Sequence, residues 1–135
     1  MKNEFWLNLP VKNLSRSKEF FKSIGFSFKN ESDTMVSLLV GKDDVVINLF
    51  EEEEFKGYSG NEIPDTQNAT EVLFNIGAKD KEEVNAFSVK VKIAGGKIYR
   101  GPEEKDGWMY GCGFTDLDGH RWSMLYMDMD KMPKG

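Results

Sequence analysis

The strongest constraint on what this chain can fold into is that its second half repeats the order of its first. A shift of 67 residues places Leu7 on Phe74, Asn8 on Asn75, Leu9 on Ile76, Asn13 on Asp80, Phe20 on Phe87 and Ile24 on Val91. Two periods must agree for that to happen. Alternation by two over Phe5 to Val11 and again over Val72 to Ile76 predicts a strand at the head of each half. The three- and four-residue spacing of Leu14, Phe20, Phe21 and Ile24, and then of Val84, Phe87 and Val91, predicts a helix behind each strand. Asn13 and Asp80 are N-cap residues, with Glu83 three positions after Asp80, and Gly25 and Gly95 end the helical patterns.

Three extended runs follow each helix. In the first half they are Phe26 to Phe28, Met35 to Val40 and Val45 to Phe50, separated by NESD and GKDD, both rich in turn formers. In the second half they are Lys97 to Arg100, Tyr110 to Thr115 and His120 to Met127, separated by a Gly-Pro turn with an acidic loop and by DLDG. The expected class is therefore α+β, with two tandem β-α-β-β-β modules at 1–50 and 70–129, a linker at 51–69 and a tail at 130–135. Four consecutive Glu and then scattered Gly, Asn and Pro give the linker no sustained period, so a solvated connector is expected there. Folding of Phe55 and Tyr58 over a pocket is the less favoured alternative.

Composition narrows the function classes. With 135 residues the chain suits one compact unit built by duplication rather than two independent enzyme domains. The 18 basic and 23 acidic residues give a formal charge of -5, so no broad cationic surface is offered to nucleic acid or anionic lipid. Neither partner is expected. One Cys excludes an internal disulfide, and the opening MKNEFW lacks the apolar run of a signal peptide, which points to the cytoplasm. One His and one Cys also exclude zinc or iron sites built from several imidazoles or thiolates.

FWLNLPVKNLSRSKEFFKSIGF at the start and MYGCGFTDLDGHRWSMLYMD at the end are the more specific stretches. They resemble the vicinal oxygen chelate superfamily of glyoxalase I, bleomycin resistance proteins and extradiol dioxygenases, and within it the bacterial branch labelled predicted lactoylglutathione lyases. The resemblance covers nearly the whole chain. It implies strands curling into a cup as a mixed sheet, with helices outside and a ligand or metal inside, and commonly a homodimer.

The resemblance also implies where a metal would sit. Metal-dependent relatives take one His, Gln or Glu ligand from the first and one from the last strand of each module. Those positions fall on Trp6, Asn48, Leu73 and Ser123, none of which is an anionic or imidazole donor. No metal and no cofactor is expected. If the strand register is displaced, Glu71 shares a face with Leu73 and is the fallback ligand, with a divalent ion as the alternative cofactor.

The candidate ligand-binding residues are Trp6, Asn8, Asn48, Asn75 and Ser123, implied to face the cup, together with Cys112. Trp6 can stack on a planar ligand or fill the space of a missing metal. The three Asn offer a neutral hydrogen-bonding pocket or pair among themselves. Cys112, between two glycines, is either a closely approached thiol or simply packed. DLDGH lacks the further ligands of a calcium loop and reads as a turn, with His120 a polar residue just beyond it. The expected function is binding of a small, partly apolar molecule without a catalytic metal. The alternatives are a metal-dependent lactoylglutathione lyase-like or dioxygenase-like enzyme, and a protein-interaction module that has lost its pocket.

Overall fold

The computed structural model describes residues 1–134. The chain divides into two compact units, Met1–Asp65 and Thr66–Gly135, each carrying one four-stranded mixed sheet.

In the first unit β1 (Leu7–Val11) leads into α1 (Leu14–Ser23), followed by β2 (Ser27–Glu31), β3 (Met35–Val40) and β4 (Val45–Glu51). The sheet order is β1-β4-β3-β2, with β1 parallel to β4 and the other pairs antiparallel. α1 forms where its cap requires. The Asn13 side chain accepts from Arg16 N at 3.0 Å, and Gly25 turns the chain out of the helix at φ 103. Its buried Leu14, Phe20 and Phe21, with Ile24 just beyond, join Val36, Leu38, Ile47, Leu49 and Val11 in one core layer. Each such large apolar side chain contributes about 1.5–3 kcal/mol on burial.

The segment after β4 departs from the expected connector. Glu52–Ser59 is a helix, α2. Glu52, Glu53 and Glu54 occupy its first turn, where acidic charge complements the exposed N–H groups, and Gly60 ends it in the left-handed region at φ 67. The four-Glu run that resembled a solvated charge block is therefore a helix start. Phe50 meets the ring of Tyr58 at 5.1 Å and 62°, so α2 places an aromatic over the end of β4.

The second unit repeats the plan with β5 (Leu73–Gly77), α3 (Lys81–Ile93), β6 (Lys97–Lys105), β7 (Met109–Thr115) and β8 (Arg121–Met127), in the order β5-β8-β7-β6. Asp80 caps α3 by accepting from Glu83 N at 2.8 Å, while the Glu83 carboxylate accepts from Lys79 N at 2.8 Å. The Gly-Pro turn expected after Arg100 is not a turn, because β6 runs through Gly101 and Pro102 to Lys105. As an edge strand, β6 tolerates a residue without an N–H, and the reversal falls instead at Asp106 and Gly107, both at positive φ.

Part of the expected linker belongs to this unit. The Thr66 hydroxyl donates to the Asp118 carbonyl, and Thr66 and Gln67 lie so close to Gly119 (φ 86) that a Cβ there would fall within 2.9 Å of both. Among the described residues no helix is long and apolar enough to cross a membrane.

Candidate functional site

In the first unit the parallel pairing sets Asn8 beside Asn48, and the β3 register sets Ser37 on the other side of Asn48. All three alternate away from the core positions Leu49, Ile47 and Val36, so they share the sheet face opposite α1. They form a directed chain. The Ser37 hydroxyl donates to Asn48 Oδ1 at 2.6 Å, and Asn48 Nδ2 donates to Asn8 Oδ1 at 3.1 Å. That order leaves the Asn8 amide N–H groups pointing outward, with no acceptor among the described residues. Phe50, capped by Tyr58, continues the same face.

The second unit carries the counterpart. Asn75 pairs with Ser123 in the parallel register, and the Ser123 hydroxyl donates to Asn75 Oδ1. Again an Asn amide N–H2 is left facing out, on an exposed residue.

Register makes Gly113 the equivalent of Ser37, since each lies across from the last-strand polar residue. The missing side chain admits a ring. A Cβ at Gly113 would fall 2.4 Å from Tyr99 Cζ. Tyr99 reaches this position because two residues of β6 pass one of β7 between Ile98 and Arg100, a bulge that turns its side chain onto the sheet face. The Arg121 guanidinium lies over that ring, 4.3 Å from its centroid.

The candidate residues thus separate. Asn8 and Asn48 come together in one network and Asn75 and Ser123 in the other. Trp6 precedes β1 and is 52% exposed, so the first strand begins two residues later than expected and Trp6 is not held by it. Cys112 is corrected in placement: it pairs with Met124 and shares the face of Phe114 and Trp122, fully buried under α3. Burial pushes its thiol pKa up, so it is a packed thiol rather than a member of the polar face.

DLDGH is a turn, as expected, but a buried one. Asp116 Oδ1 accepts from Asp118 N at 2.9 Å and from His120 N at 3.0 Å, and its Oδ2 accepts from the Trp122 indole at 3.1 Å. Burial raises the Asp116 pKa, opposed by His120 and by the indole N–H. His120 is 9% exposed, so it belongs to this internal knot instead of the surface. Asp116 and its three donors escaped the sequence reading because an acid in a turn is ordinarily solvated. The one available signal was an indole two residues beyond His120.

The residues do not fit a divalent ion. Asn48 and Ser123 spend their oxygens and protons on neighbours, Leu73 is 50% exposed and has no donor atom, and Glu71 lies before β5 on the surface. Among the described residues no three His, Cys, Asp or Glu side chains gather as a metal set. Neutral amide and hydroxyl oxygens alone do not offset the dehydration of such an ion.

Comparison with known proteins agrees with the topology. Residues 5–124 match the model of the Glyoxalase/Bleomycin resistance protein/Dioxygenase superfamily. Among solved structures, a hypothetical protein from S. aureus is 32% identical, with 93% of this chain and 94% of that one covered and a TM-score of 0.84. A glyoxalase-related enzyme from Fulvimarina pelagi is 15% identical over 100% of this chain and 94% of that one, with a TM-score of 0.82. A lactoylglutathione lyase from Agrobacterium tumefaciens is 16% identical over 98% and 99%, with a TM-score of 0.69. The last two likenesses concern the fold alone. Comparison with curated protein sequences gives no match.

Proposed function

Because the chain belongs to the glyoxalase/bleomycin resistance protein/dioxygenase superfamily, we propose that it uses the fold to bind a small, partly apolar organic molecule without a catalytic metal. The observation that carries this reading is the pair of matched polar networks, Ser37–Asn48–Asn8 and Ser123–Asn75. Asn48 and Ser123 stand where the resemblance implies a His, Gln or Glu ligand in metal-dependent relatives, and each network presents an outward Asn N–H2.

Outward amide donors suit a ligand with carbonyl, carboxyl or hydroxyl oxygens. Neutral donors are also cheaper to desolvate than ions, so they can sit against an apolar ligand body. The internal hydrogen bonds fix the amides before a ligand arrives, which reduces the ordering entropy of binding. Met35 and Phe50 beside the first network, and Leu73 and Leu125 beside the second, supply apolar contact.

The test is a thermal-shift screen of small oxygen-bearing molecules, run with and without a chelator. At least one class should raise Tm equally in both. Stabilisation that appears only when a divalent metal is present would favour the lyase-type enzyme. A screen without any hit would favour an interaction module.

A further inference from the structure

We propose that Arg121 is the anion anchor of the second unit's polar face, and that the molecule bound there carries a carboxylate attached to an apolar body. This rests on the small-molecule reading above and names the ligand class for that site.

Arg121 is half-buried, makes no ion pair among the described residues, and has its Nε buried without a hydrogen-bond partner. A partly desolvated cation without an acid is an expensive arrangement unless something else meets it. Its other neighbours hold it in place without neutralising it. The guanidinium stacks on Tyr99, and Tyr99 is fixed by the β6 bulge and the space over Gly113.

The surroundings select the anion. Strand alternation puts Arg121 on the same face as Ser123 and Leu125, with Leu73 across from Arg121 and Asn75 across from Ser123. The unengaged Asn75 N–H2 is therefore a second donor one residue pair away from the guanidinium. A planar guanidinium with a neutral amide nearby matches the two oxygens of one carboxylate. The Arg100 guanidinium also lies over the Tyr99 ring, 5.9 Å from its centroid, but pairs with Glu103 at 3.7 Å, and one cation left without an acid suits a monoanion better than a dianionic phosphate. Leu73, half exposed beside Arg121, offers the apolar contact for the rest of the molecule.

The test uses the intact 15N-labelled protein with three probes: isocaproate, its neutral amide isocaproamide, and inorganic phosphate. Isocaproate should shift the Arg121 Nε–H and Asn75 side-chain resonances saturably, and isocaproamide should leave the Arg121 signal unmoved. Arg121→Gln should weaken isocaproate at least about tenfold, and Arg121→Lys less, as expected for a charge-assisted contact. The wild-type shifts need no variant, so a poorly folding substitution leaves the inference exposed to refutation. It is overturned if isocaproate moves neither resonance, if phosphate binds more tightly than isocaproate, or if the amide binds equally well. Equal binding of acid and amide leaves the metal-free reading standing, whereas tight stoichiometric binding of a divalent metal would remove that reading itself.

Discussion

Replacing Gly113 with Ala tests the seating of Tyr99 on the second sheet most sharply. The new Cβ would lie 2.4 Å from Tyr99 Cζ and 2.7 Å from both Cε1 and the hydroxyl oxygen. Carbon atoms rest at about 3.5–4.0 Å, so the ring must retreat by roughly 1 Å or more. It has little room, being held between the sheet and the Arg121 guanidinium at 4.3 Å. Overpacking of this kind costs about 1–3 kcal/mol, and loss of the cation–π contact adds about 0.5–2 kcal/mol. The Ala itself returns about 0.4–1 kcal/mol by restricting the unfolded chain, since Gly113 is not at positive φ. The net expectation is a loss of about 0.5–4.5 kcal/mol. In a Tyr99→Ala background the same substitution should be neutral or slightly stabilising, because the obstacle is gone. Urea unfolding of the wild type, both single variants and the double variant closes the cycle. A coupling of at least about 1 kcal/mol is predicted; additivity within about 0.5 kcal/mol would refute the seating of the ring over Gly113.

Three further outcomes follow from the same geometry. Asp116→Ala removes the acceptor shared by the N–H groups of Asp118, His120 and Trp122, so it should destabilise by about 1–3 kcal/mol or more. A loss below about 1 kcal/mol in urea unfolding would show that the knot is not structural. Cys112 should react with a thiol reagent at least about 100-fold more slowly in the native than in the urea-unfolded protein, since burial both covers it and raises its pKa. The folded state then keeps the thiol proton longer than the unfolded chain. Its contribution to stability is complete below the ordinary thiol value of 9.0 and is lost as the pH rises above it, which a urea series at increasing pH, compared with Cys112→Ala, would detect.

What the sequence disclosed and what it hid have separate physical causes. The duplicated β-α-β-β-β order was legible because each helix carries its own cap and core face. Asn13 and Asp80 both cap as their positions predict, and Asn8 and Asn75 take equivalent places beside the last strand of their sheets. α2 was hidden because its acidic first turn mimics a charge run, and the ring contact of its Tyr58 with Phe50 comes from tertiary packing. The length of β6 was hidden by Gly101 and Pro102, which break most strands but not an edge.

Within the candidate site, alternation placed Asn8 and Asn75 on one strand face and the family resemblance implied Asn48 and Ser123 there, while the pairing of Asn8 with Asn48 and of Asn75 with Ser123 comes from the parallel registers. It failed for Cys112, because flanking glycines give no apolar pattern from which to choose a face. Arg121 and Tyr99 were invisible as partners, since a bulge brings them together and no local signal in KIYRGP predicts one.

The central claim, that these polar faces serve an organic ligand and not a metal, is met most directly by calorimetric titration of the chelator-treated protein with Ni, Zn and Mn ions. The account predicts no saturable heat of one-to-one binding and no rise in Tm with any of the three. One equivalent bound tightly, and lost when Asn48 or Ser123 is replaced by Ala, would contradict it.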